Sequence, residues 1–237
     1  MRRVPLTFPS HPAAVLPFKL WRPHWFDGVA LVLGSMAPDL GYLFDGSGLP
    51  VWPFSHEPAG LVGWCLPLTL IGCLLVRRAA PVVAAHLPAG GPFALRDYGA
   101  LRFSGHAWWV TVVSALLAAA SHLVLDAAEK LVPAAELAGH IVGTLALLTF
   151  AMVIGRRRLV RRWHGDAPQC EPRPGRFWSV ATAVTVLGVA VTPFLPGAFL
   201  LHTSGVRVLT AFAAGLLVAA AVSRQHAPGR AETALIG

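Results

Sequence analysis

The sequence predicts an all-α fold: a polytopic integral membrane helical bundle of about six transmembrane helices, with a short half-inserted helix at the N-terminus. Three observations carry this. The 237 residues are 55% hydrophobic and only 13% charged, with a mean hydropathy of +0.62, whereas a soluble domain is about one quarter charged. Six apolar stretches approach the roughly 20 residues needed to cross hydrocarbon. Arginines gather in alternate connections between those stretches, the pattern that orients a membrane protein.

The N-terminus has a basic start at Arg2 and Arg3, but Pro5, Pro9, Pro12 and Pro17 break any signal-peptide core. Segment 11–20 is short and apolar and descends to Lys19 and Arg22. It is read as the half-inserted helix, forming a hairpin with the first stretch, 28–44, and bringing His11 beside Asp39. The stretches 59–76, 107–126, 137–155, 178–196 and 206–223 follow, and Pro193 ends or kinks the fifth of the six. Residues 1–237 form a single membrane domain. Within it 1–155 carries the candidate site, 156–177 is a basic loop and 178–237 is a C-terminal helix pair. Trp21, Trp25, Trp108, Trp109, Trp163 and Trp178 suit an interfacial aromatic belt. Cys65 and Cys73 stand about 12 Å apart along one helix, beyond disulfide reach, and Cys170 lies in the basic loop, so no disulfide framework is implied.

Fifteen of the nineteen Lys and Arg residues are Lys19 and Arg22 just before the first stretch, eleven in the loops after the second and fourth, and two after the sixth. The positive-inside rule puts those loops and the C-terminus in the cytoplasm, and the chain in the cytoplasmic (inner) membrane. The net charge of +8 and pI near 10.7 are spent on this orientation. No basic face with base-stacking aromatics points to nucleic acid. The expected partner is membrane lipid.

The acids are distributed in the opposite sense. Asp39, Asp45, Glu57, Asp126, Glu129 and Glu136 fall at the other end of the bundle. Ionisable groups at membrane depth are costly and point to function. In the segment SHLVLDAAEK, His122, Asp126 and Glu129 lie at i, i+4 and i+7 on one helix face. A His and a carboxylate one turn apart suit a metal ion, or a ligand with its orienting partner; a helix-end pair held by hydrogen bonding alone is the structural alternative. Asp39 closes the first stretch, His56 precedes the second, and Glu136, His140 and Thr144 share a face of the fourth. Four helices thereby offer ligands at one depth. The candidate metal ligands are His11, Asp39, His56, His122, Asp126 and His140. No nucleophile elbow or phosphate-binding glycine loop is present.

The motifs FPSHPAAVLP, GSMAPDLGY, FSHEPAG and SHLVLDAAEK, in that order, resemble the bacterial membrane family called domain of unknown function 4184. That family is more distantly similar to predicted membrane-bound metal-dependent hydrolases. The resemblance spans roughly His11 to Asp126 and implies a site made from His11, Asp39, His56, His122 and Asp126. The chain departs from the pattern at Glu129, which replaces a family histidine, and at Glu57 and Pro58. The resulting expectation is a metal-dependent hydrolase with its site near the outer membrane surface, acting on a lipid-linked substrate or other phosphoester. Mixed His and carboxylate ligands suit a divalent ion, Zn, Mn or Fe, with Glu129 or Glu136 as general base. The competing expectations are a non-enzymatic membrane protein, such as a transporter or metal-binding partner, and a bundle whose polar cluster only fixes helix packing.

Overall fold

The computed structural model describes residues 10–103, 105–131 and 133–224, without the side chains of 133–138. The expectations for Arg2, Arg3, Arg230 and the Glu136 side chain lie outside the described residues. The described residues are predominantly helical and contain no strand. Seven helices organise the chain: α1 (Ser10–Trp21), α2 (Gly28–Met36), α3 (Pro58–Ala85, opening through a π turn at Leu61–Cys65), α4 (Trp108–Leu131), α5 (Pro133–Arg156), α6 (Pro174–Val191) and α7 (Leu201–Arg224). Five of them, α3 to α7, are long and apolar enough to cross a membrane.

The first expected stretch, 28–44, is shorter than its hydropathy suggests. Pro38 lacks the N–H that would bond the Gly34 carbonyl, so the α ladder stops at Met36 and the chain tightens into a 3-10 turn, Asp39–Phe44. Helix α2 therefore does not span; it pairs with the short α1 as the anticipated hairpin, inserted among α3, α4 and α5. Asp27 caps α2, accepting from the amides of Val29 (3.1 Å) and Ala30 (3.3 Å). Helix α3 also departs from expectation. It continues through Arg77 and Arg78 to Ala85, because Arg77 turns inward onto the Asp27 carboxylate instead of facing a loop. Pro193 falls where expected: α6 ends at Val191 and passes into a 3-10 turn, Thr192–Phe194.

The hairpin and α4 are stacked in register. On α1 the residues Lys19, Val15 and His11 are four apart; on α2 so are Asp27, Leu31 and Ser35; on α4, Ser114, Ala118 and His122. A four-residue step keeps each set on one face. The middle members Val15, Leu31 and Ala118 are 0% exposed and pack together as a dry layer between two polar ones. Close approach permits this, since a Cβ at Gly34 would lie 2.7 Å from the Ala115 carbonyl oxygen. Helices α6 and α7 form a separate pair, of which α7 packs against α3 and the 3-10 turn that follows α2. Buried Arg207 of α7 donates to the carbonyls of Leu43 (3.1 Å) and Asp45 (3.2 Å), fastening the 3-10 turn that carries Asp39.

Candidate metal centre

Four donor atoms form a closed ring at one end of the hairpin. His122 Nε2 lies 3.4 Å from Asp39 Oδ1, which lies 3.7 Å from His56 Nε2. His56 Nε2 is 3.6 Å from Asp126 Oδ2, which returns to His122 Nε2 at 3.7 Å. The four residues arrive from three segments: Asp39 from the turn after α2, His56 from the turn before α3, and His122 and Asp126 from successive turns on one face of α4. Both Nε2 atoms are buried and make no hydrogen bond among the described residues. Orphaned buried nitrogens are rare and costly. Yet the spacing suits something else. Donors about 2.0–2.2 Å from a tetrahedral ion are about 3.3–3.6 Å from one another, close to the four separations around this ring, and Asp39, His56 and His122 form a three-donor group within it. The residues present fit a divalent metal ion, and two carboxylates facing two neutral imidazoles would cancel its charge in a water-poor site.

The outer contacts orient the two imidazoles. His122 is 0% exposed, and its Nδ1 lies 2.8 Å from the Ser35 carbonyl oxygen. A carbonyl only accepts, so Nδ1 carries the hydrogen and Nε2 offers its lone pair inward. His56 Nδ1 sits 3.3 Å from the Trp52 carbonyl oxygen and 3.0 Å from Ser55 Oγ. Ser55 Oγ in turn donates to the Pro38 carbonyl at 2.8 Å, joining the His56 turn to the segment leading into Asp39. Gly41 makes this join possible: a Cβ there would meet Ser55 Oγ at 2.5 Å.

Burial pushes the Asp39 pKa upward, but the facing imidazoles of His122 and His56 more than offset this and hold the carboxyl well below its ordinary range. His11 stacks on His122, with ring centroids 3.8 Å apart, and its Nε2 is 3.7 Å from Asp126 Oδ1. Burial, then the neighbouring His122, pulls the His11 pKa down to about 3. The groupings able to hold an ion among the described residues are His11 with His122 and Asp126, and Asp39 with His56 and His122.

Five of the six expected ligands therefore converge. His140 of α5 stands outside both groupings, though near enough for its charge to act on His11. Glu129 lies one turn beyond Asp126 and reaches toward α5, where a Cβ at Gly139 would be 3.1 Å from its Oε1. Sequence reasoning assigned no role to Ser55, the Ser35 carbonyl or Tyr42. Tyr42 is buried, its ring 5.7 Å from His56 and 4.8 Å from His202. Its place in GSMAPDLGY, three residues after Asp39, was the available signal.

The opposite end of the hairpin holds a second polar cluster. Lys19, expected near the cytoplasmic end of the half-inserted helix, is 2% exposed; its Nζ donates to the carbonyls of Pro23 (2.7 Å) and Phe26 (2.9 Å) and lies 3.0 Å from His106 Nε2. Burial lowers its pKa to about 8 despite nearby Asp27. Asp27 binds Arg77, accepts from Thr111 Oγ1 at 2.7 Å, and its amide donates to Ser114 Oγ at 2.9 Å. His106 and His164, distant in sequence, meet edge to face here with ring centroids 6.2 Å apart.

A helical bundle with membrane-length apolar helices and a buried His/Asp ring defines the class of protein. Within that class the chain belongs to the family described as Domain of unknown function (DUF4184), whose match covers residues 4–129, more than half of the chain and the whole of the ring. Comparison with curated proteins and with solved structures gave no match.

Proposed function

We propose that this chain is a metal-dependent hydrolase of the cytoplasmic membrane, with its site near the outer surface, its C-terminus in the cytoplasm, and a lipid-linked or other phosphoester as substrate. One observation carries the reading: the ring of Asp39, His56, His122 and Asp126, whose two buried Nε2 atoms make no hydrogen bond among the described residues and face carboxylates at a metal ligand's spacing. When bound, a divalent ion such as Zn, Mn or Fe supplies Lewis acidity and brings the pKa of water toward about 7. Asp39 and Asp126 supply the compensating negative charge, and the Ser35 and Trp52 carbonyls keep the imidazoles in the ligating tautomer. Glu129, or Glu136 on α5, is the proposed general base; Glu129 lies one turn from Asp126 on the same helix. The orientation follows from the basic loops, which contain Arg96, Arg102, Arg157, Arg158, Arg161, Arg162 and Arg173.

A transporter would need a polar route through the bundle. The dry layer of Val15, Leu31 and Ala118 closes the hairpin beneath the ring, which favours the hydrolase reading. The test is hydrolysis of a phosphoester panel, soluble and lipid-linked, by purified protein loaded with Zn or Mn. Turnover that falls at least about 100-fold in Asp39→Ala and His122→Ala supports the proposal. Equal turnover in these variants, or none in the wild type with any metal, contradicts it.

A further inference from the structure

We infer that the centre takes two divalent cations, with the Asp126 carboxylate bridging them and His11 holding the second; the inference rests on the metal-site reading above. The two ion-holding groupings share His122, but an imidazole Nε2 has a single lone pair and cannot serve two ions. Asp126 resolves the conflict. Its Oδ2 faces His122 and His56 (3.7 and 3.6 Å), whereas its other oxygen, Oδ1, faces His11 Nε2 at 3.7 Å. One carboxylate thus presents a separate oxygen to each side.

The stacking sets the separation. The rings of His11 and His122 are 3.8 Å apart and only 24° from parallel, and each Nε2 is directed at the same carboxylate. Ions on two such rings are separated by about the 3.5–4 Å found in two-metal hydrolytic centres. Charge distinguishes the two positions. The ring carries both carboxylates and is neutral with its own ion, so a second dication adds two positive charges that no described ligand cancels. Its two protein donors, His11 Nε2 and Asp126 Oδ1, leave the remaining coordination open. A dianionic phosphate both fills those positions and cancels the charge. The second ion is therefore the weaker and more exchangeable one, and it selects a phosphomonoester over a neutral ester or amide.

The experiment uses the full chain in detergent, stripped with chelator and titrated with Mn(II), read by elemental analysis and electron paramagnetic resonance. The wild type should bind two Mn per chain and give an exchange-coupled signal, with the second ion binding more tightly when inorganic phosphate is present. His11→Gln should bind one Mn and give an uncoupled six-line signal. A wild type that binds a single uncoupled Mn overturns the second ion while leaving the mononuclear reading intact, and so does a His11→Gln variant that keeps the coupled pair. A wild type that binds no Mn overturns both. The wild-type spectrum decides on its own if the variant fails to fold.

Discussion

The two ends of the α1–α2 hairpin use similar residue types and treat them in opposite ways. At the Lys19 end the charges are matched: Lys19 meets two carbonyls, and Asp27 meets Arg77, Thr111 and the first amides of α2. At the His11 end, imidazoles and carboxylates stand 3.4–3.7 Å apart, too far to satisfy one another and near enough to share an ion. The dry layer of Val15, Leu31 and Ala118 separates them. The difference teaches how to sort buried charge: a completed network holds helices together, whereas an incomplete one, kept in shape by outer hydrogen bonds, is where a ligand is expected.

Breaking the completed end should have the larger effect on stability. Asp27→Ala leaves buried Lys19 and half-buried Arg77 without their counter-charge and should cost about 3–5 kcal/mol, measured as a lowered thermal midpoint in detergent. Leu31→Ala opens the dry layer and should cost about 2–4 kcal/mol, read in the same assay. A smaller effect follows from pH. Burial alone would raise the Asp27 pKa, but Thr111, Arg77 and the Ala30 amide prevail and hold it below the usual carboxylate range. A carboxylate lowered on folding contributes stability above its unfolded pKa of about 3.9 and loses it as pH falls further. The wild-type midpoint should therefore drop on acidification through that region, and Asp27→Asn should flatten this part of the profile.

The incomplete end should behave in the other sense. With metal removed, Asp126→Asn takes away one of two carboxylates facing the same space, so the midpoint should change by less than about 1 kcal/mol or rise. A loss as large as that of Asp27→Ala would mean that the ring is itself a structural network.

The long helices were legible because they are runs of apolar residues with no competing signal. Most of the ring was legible too, since His122 and Asp126 share a helix face and Asp39 and His56 sit at the ends of apolar stretches. The second polar cluster was not. Lys19 and Arg77 read as orienting charges at the cytoplasmic side, because nothing local reveals that Asp27, separated from Arg77 by 50 positions and from Thr111 by 84, waits in the interior. Backbone partners such as the Ser35 and Trp52 carbonyls carry no side-chain signal at all. The short α2 was hidden for a related reason: hydropathy runs unbroken through Pro38, while the hydrogen-bond ladder does not.

The central claim is that the orphaned ring binds metal and the paired cluster does not. Elemental analysis of wild type, Asp39→Ala and Asp27→Asn, each purified in detergent after supplementation with Zn or Mn, tests it most directly. Bound metal in the wild type and in Asp27→Asn, with loss in Asp39→Ala, is the predicted result. A metal-free wild type, or metal retained in full by Asp39→Ala, would contradict the account.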